Sequence, residues 1–158
     1  MNNIKKTKGF TIIEIVVVIA IIAVLAGIVM VNVSSFTKKA KVTAARADVR
    51  QLVIAMELYR AKNGQLPPLG DSCSACSNPC DAGVWNAVVD AMINSEDGNR
   101  GMYIDPWGRP FCYDDNDKVP AGPCSPVFSM GEDGVNNTGT GCAISGDDIG
   151  QILPYGGP

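Results

Sequence analysis

From Ile15 to Val31 the chain reads IVVVIAIIAVLAGIVMV, a run without one polar side chain. Extended outward to Phe10 and Val33 it takes in only Thr11, Glu14 and Asn32. About 24 residues at ~1.5 Å rise make ~36 Å of helix, enough to cross the hydrocarbon core of a bilayer. Lys5, Lys6 and Lys8 precede the run and no acid accompanies them, so the positive-inside rule holds the N-terminus in the cytoplasm and places the rest on the far side. A secretory signal peptide fits poorly, because the apolar stretch is too long and no small-residue A-x-A site follows it. Glu14 is the anomaly. A carboxylate inside such a run costs roughly 2.5–3.5 kcal/mol on insertion scales, which marks it as functional unless it snorkels to the headgroups.

The remaining residues are partitioned by charge. Residues 38–62 hold seven Lys/Arg against two acids, whereas residues 63–158 hold three against thirteen. An acidic C-terminal part argues against a nucleic-acid surface. Histidine is absent, which removes Ser-His-Asp, Cys-His and His-metal chemistry. The six cysteines, Cys73, Cys76, Cys80, Cys112, Cys124 and Cys142, read as disulfides if that part leaves the cytosol. Fifteen full pairings are open to six cysteines. Cys112 with Cys124 would close a hairpin-sized loop, and Cys142 would tie the last loop to the 73–80 cluster. The C-x2-C-x3-C stretch is alternatively a zinc motif, but zinc needs reduced thiolates and export argues against them.

No proline interrupts residues 10–62 and Gly27 is the one glycine among them, so a single helix is expected. Beyond Val33 it turns amphipathic, with one stripe of Phe36, Ala40, Ala44, Ala47, Ile54 and Leu58 and a second of Val42, Val49, Val53 and Met56. Two stripes suit a helix that touches its own head domain and also neighbouring subunits; one broad core-facing face is the alternative. Lys38, Lys39, Lys41, Arg46 and Arg50 would meet lipid phosphates or an acidic neighbour. Asn63-Gly64 reads as a helix stop and Pro67-Pro68 blocks resumption. Asp81 is placed to N-cap a short helix through about Ser95, facing Val84, Val88, Ala91 and Met92 inward. A tight turn at 105–110, strands at Phe111–Tyr113 and Val127–Met130, and a loop from Gly131 to Asp148 complete the head. The fold class is α+β: a long N-terminal helix, half transmembrane and half amphipathic, packed on a small antiparallel sheet with a loop-rich C-terminus.

Lys8-Gly9-Phe10-Thr11-Ile12-Ile13-Glu14-Ile15 resembles the class III signal of type IV pilins and type II secretion pseudopilins. The resemblance implies a leader at 1–9, cut after Gly9 by a prepilin peptidase with methylation of Phe10. It further implies an assembly helix at 10–33, an amphipathic stalk at 34–62 and an extracytoplasmic head at 63–158. Cutting there creates a cationic amine at Phe10, one helical turn from Glu14. An axial offset between packed helices would let one subunit's carboxylate meet another's amine, so that Glu14 sets the assembly register.

Leu58-Tyr59-Arg60, Asn63-Gly64-Gln65-Leu66-Pro67, Asp105-Pro106-Trp107-Gly108-Arg109-Pro110-Phe111 and Phe128-Ser129-Met130-Gly131-Glu132-Asp133-Gly134 resemble, within that superfamily, the major G-type pseudopilin. This implies a homopolymer built at an inner-membrane assembly platform with minor pseudopilins, first resident in the bacterial inner membrane and then in an extracytoplasmic filament. No nucleic acid is expected. A bound calcium is implied as well, in the loop ending at Asp147-Asp148-Ile149, with Asp147 and Asp148 as charged ligands and Ser129 and Asp133 as weaker ones; a flexible glycine-rich loop can supply the oxygens calcium requires. The alternatives are a disulfide stapling the loop in place of the ion, and acids that cap turns. A disulfide-rich head is more familiar in type IV pilins, which keeps a surface fibre for adhesion, motility or DNA uptake as the second reading. A third is a membrane-anchored enzyme using Asp114/Asp115 or Asp147/Asp148 as acid and base.

Overall fold

The computed structural model describes residues 9–69, 73–92, 102–115, 124–140 and 142–154. The side chains of residues 28–32 and of Pro154 lie outside this set, as do the leader residues 1–8. One helix, α1 (Ile12–Asn63), carries the chain from the apolar segment into the head. The chain divides into two compact units within it, one ending at Lys38 and one beginning at Lys39.

In the first unit every described side chain of α1 is exposed, with Ile12 at 86%, Ile19 at 57% and Leu25 at 57% accessible. Among the described residues no helix is long and apolar enough to cross a membrane; the span expected over 10–33 includes side chains outside them. In the second unit the same helix has an inside and an outside. Ala45, Val49, Leu52 and Met56 are buried, while Ile54 (60%) and Leu58 (66%) stay open. Of the two stripes, the one through Val49 and Met56 faces the head's core. The Ile54–Leu58 stripe faces away, a quarter-turn or more round the cylinder. The helix ends where the sequence places the stop. Gly64 takes φ +79° and its N–H donates to the Arg60 carbonyl at 2.7 Å, the left-handed cap that glycine allows without Cβ strain.

α2 (Ala82–Met92) starts on the expected cap, since the Val84 N–H donates to Asp81 Oδ1 at 2.9 Å. Its inner face is Trp85, Val88 and Val89, with Met92 packed behind them. Ala91, expected inside, is exposed; the bulk of Trp85 rotates the helix so that i, i+3, i+4, i+7 runs through the indole. The indole is anchored at both ends: Nε1 donates to the Met102 carbonyl at 3.0 Å, and the ring meets Phe111 at 5.8 Å between centroids.

The sheet has three antiparallel strands in the order β1 (Cys112–Tyr113), β2 (Cys124–Ser129), β3 (Ile149–Pro154). Val127 lies opposite Tyr113 on one side and Gln151 on the other, and Ser129 opposite Ile149. β2 is buried along its whole length, as a central strand covered on both faces must be. Alternation then sorts the core into two. Tyr113, Val127 and Leu153 join Val49, Leu52, Met56, Trp85 and Val88 on the helical side. Cys112 and Phe128 join Ala75, Cys80 and Met130 on the other. The sequence reading places no strand at β3, since IGQILP carries Gly150 and Pro154 and lacks strict alternation; pairing with β2 supplies what the local pattern does not.

Candidate functional site

Two places hold the residues the sequence singles out. At the start of α1, Thr11 is the N-cap. Its N–H donates to Glu14 Oε2 at 2.7 Å and its hydroxyl donates to the same oxygen at 2.8 Å. The Glu14 N–H points back to Thr11 Oγ1 at 3.4 Å. This is a T-x-x-E capping box, in which two orphan helix-end donors are satisfied reciprocally. Glu14 therefore has a local structural role that hydropathy reasoning passed over, although the Thr-x-x-Glu spacing displays it. Phe10, next to it, is 85% exposed.

In the head, the acidic loop is built on a turn. Asp105 is almost wholly buried. Its Oδ1 accepts the N–H groups of Trp107 and Arg109, each at 2.9 Å, the Asx turn that an aspartate before Pro-x-Gly forms. Its Oδ2 accepts the Ser129 hydroxyl at 2.6 Å, and Ser129 Oγ in turn accepts the Gly131 N–H at 3.2 Å. Arg109 lies over Trp107, 5.9 Å from the ring centroid, and its Nη2 donates to the carbonyls of Gly131 and Glu132. The 105–110 turn thus clamps the end of β2 to the loop that follows. Sequence reading found the turn but not the clamp, because the clamp depends on a contact across more than twenty residues.

Asp147 and Asp148 converge on this loop. Asp147 Oδ2 accepts the N–H groups of Glu132 (2.8 Å) and Asp133 (3.1 Å). Burial pushes its carboxyl up, but the two amides more than reverse this and hold it below the ordinary range. Asp148 Oδ2 accepts the N–H groups of Asn137 (3.0 Å) and Thr138 (2.7 Å). There burial wins over the hydrogen bonds and raises the carboxyl. Asp148 Oδ1 is buried, with no hydrogen-bond partner among the described residues. Gly131 makes room for the approach, with φ +63° and an imagined Cβ only 2.3 Å from the Asp147 carbonyl oxygen. Gly131→Ala is expected to destabilise the head by about 2–3 kcal/mol through φ strain and displacement of Asp147, read as a lowered urea midpoint.

The four expected cation ligands are not equally placed. Ser129 Oγ is engaged with Asp105, on the β2 side, and Asp133 spends Oδ1 on the Val135 N–H at 2.8 Å. Asp147 and Asp148 share Asn137 as a partner, and Asp133 is tied to Asp147 by its own amide. Among the described residues no three His, Cys, Asp or Glu side chains are grouped to hold a metal. What fits a hard cation is the pair of adjacent carboxylates, the sealed Asp148 oxygen without a donor, and a loop rich in backbone carbonyls. The carboxylates of the enzymic alternative are placed differently. Asp114 and Asp115 are both buried, and Asp115 Oδ2 accepts the Leu69 N–H at 2.8 Å.

The disulfides correct the sequence expectation. Cys80 pairs with Cys112 and Cys124 with Cys142, while Cys73 pairs with Cys76. Cys112 and Cys124 do not bridge; Cys112 points to the sheet face that packs on residues 75–80, so its neighbour is Cys80. Cys142 ties the final loop to the start of β2 and not to the 73–80 cluster. The three cysteines of the zinc motif are all consumed. Loop-closure entropy ranks the bonds. With sequence separations of 32, 18 and 3, their removal is expected to cost about 3.7, 3.2 and 1.9 kcal/mol in that order, measurable by denaturant unfolding of paired Cys→Ala variants.

Residues 32–146 match the family described as Type II secretion system (T2SS), protein G. The chain belongs to that family. Residues 4–30 match the Prokaryotic N-terminal methylation motif, the stretch that contains Gly9, Phe10 and the Thr11–Glu14 capping box. Type II secretion system core protein G of Pseudomonas aeruginosa is 31% identical over 138 residues, 82% of this chain and 87% of the relative. The protein of that name from Vibrio cholerae is 31% identical over 158 residues, 94% of this chain and 97% of the relative. A type IV major pilin of Neisseria gonorrhoeae is 32% identical over 120 residues, 69% of this chain and 66% of its own. No solved structure matches.

Proposed function

We propose that this chain is the major pseudopilin of a type II secretion system, a structural subunit and not an enzyme. One observation carries the reading: a protein G match across the head and stalk sits directly behind a methylation motif on an apolar helix whose described side chains are exposed. So much apolar surface needs lipid before assembly and other subunits after it. Prepilin peptidase cuts between Gly9 and Phe10 and methylates Phe10. The mature chain begins at the helix, and the subunit moves from the inner membrane into an extracytoplasmic homopolymer, raised at the assembly platform and met by minor pseudopilins. The exposed Ile54–Leu58 stripe extends this contact surface into the stalk.

Glu14 sets the register by pairing with the Phe10 amine of a neighbour, which means exchanging part of its capping box for an intersubunit ion pair. Asp147 and Asp148 would hold a calcium ion together with loop carbonyls, and the ion would supply charge neutralisation to the two adjacent carboxylates. A chelator is expected to lower the melting temperature of the purified protein by several degrees, restored by excess Ca²⁺; an unchanged curve with no metal by elemental analysis removes the ion.

The pilin-like relative and the three disulfides favour a second reading, a type IV pilin of a surface fibre. Gene deletion separates the two. Loss of exported proteins with motility and surface fibres intact supports the pseudopilin, and the reverse pattern supports the pilin.

A further inference from the structure

We propose that the Cys73–Cys76 disulfide is a thiol-exchange site, opened at Cys76 by a small thiol while the head stays folded. The bond joins residues three apart, with Cα atoms at 5.3 Å. Cys76 is exposed and Cys73 is half-buried against the cluster of Ala75, Cys80, Cys112 and Phe128.

The residues between and after them are fixed without it. The Tyr113 N–H donates to Ser74 Oγ at 2.8 Å, and the Ala75 N–H donates to the Tyr113 carbonyl at 3.1 Å, so the loop pairs with β1 on its own. Asn136 holds it from the other side: Nδ2 donates to the carbonyls of Ala75 (2.6 Å) and Ser77 (3.1 Å). The Asp81 N–H donates to the Ser74 carbonyl, and Cys80–Cys112 bolts the loop's end to the sheet. The two other disulfides join segments 32 and 18 residues apart. Among the described residues, the first joins nothing that these contacts do not already hold.

The chemistry discriminates between the exposed sulfurs. A thiolate attacking Cys76 Sγ forms a mixed disulfide there, breaks the Cys73–Cys76 bond, and sends the electron pair to Cys73, which takes a proton from water. A second thiol attacks the outer sulfur of the mixed disulfide, releases Cys76 as thiolate and leaves as the small-molecule disulfide. The chain gains two electrons and two protons, and two thiols become one disulfide; a small disulfide oxidant reverses both steps. Cys142 is also exposed, but attack there must expel Cys124, which is 5% accessible inside β2. An apolar setting makes a poor home for that thiolate and slows its departure.

The full-length chain in detergent, treated with graded dithiothreitol, alkylated and mapped by mass spectrometry, tests this. Cys73 and Cys76 are expected to label at roughly tenfold lower reductant than the other four, with the near-UV circular dichroism unchanged. Reduced glutathione is expected to leave its adduct on Cys76. The double variant C73S/C76S is expected to fold, with a drop in melting temperature no more than about half that of C80S/C112S. Labelling of Cys124 and Cys142 first, simultaneous opening of all three, a glutathione adduct on Cys73, or failure of C73S/C76S to fold each overturns the proposal.

Discussion

Glu14→Ala is expected to be cleaved and methylated normally yet to form no filaments, a loss of assembly of at least tenfold by shearing and immunoblot. The substitution has two consequences that must be separated. It removes half of the capping box, which costs the helix start about 0.5–2 kcal/mol, and it removes the charge. Glu14→Gln decides between them. Glutamine at this position still accepts the Thr11 N–H and keeps the cap, but it cannot form an ion pair with a neighbour's amine. A register role predicts that Glu14→Gln fails as Glu14→Ala does. If the glutamine variant polymerises like the parent chain, Glu14 is a helix cap and the axial offset is set elsewhere.

Asp105→Ala is expected to destabilise the head by about 3–5 kcal/mol, because it removes a buried carboxylate and strands three donors at once, one buried and two half-buried. The Trp107 and Arg109 amides and the Ser129 hydroxyl all terminate on this carboxylate. For a head of roughly a hundred residues this corresponds to a fall of about 15 °C or more in melting temperature. Asp105→Asn keeps an oxygen for the two amides and should lose about half as much. The effect should spread to the acidic loop, since Ser129 also holds the Gly131 amide and Arg109 holds the next two carbonyls. A melting point within 3 °C of the parent would show that the turn, and not the carboxylate, does the clamping.

How much of this was visible in the residues depends on range. Helix boundaries were readable at Asn63-Gly64 and Asp81, and the Thr11-x-x-Glu14 spacing displays a third that hydropathy hides; each is settled by hydrogen bonds within four residues. The two stripes of the stalk were readable as well, but not which one would be covered. That choice belongs to Trp85, Tyr113, Val127 and Leu153, which pack on Val49, Leu52 and Met56. β3 escaped notice for the same reason, as did the role of Arg109. The acidic pair was readable as a pair. Its separation from Ser129 was not, since Ser129 is claimed by a residue 24 positions away.

By itself the chain's order of residues determined the long helix, its apolar first half, the caps that begin and end it, and the kinship carried by Gly9–Glu14 and the 105–111 turn. These follow from periodicity and from contacts that chain connectivity makes unavoidable. Only the folded head decided the disulfide partners, the buried face of α1, the third strand and the sealed oxygen of Asp148. Each of those requires two segments distant along the chain to be brought within a few ångströms, and the gain from burying apolar surface, not any local preference, selects which segments meet.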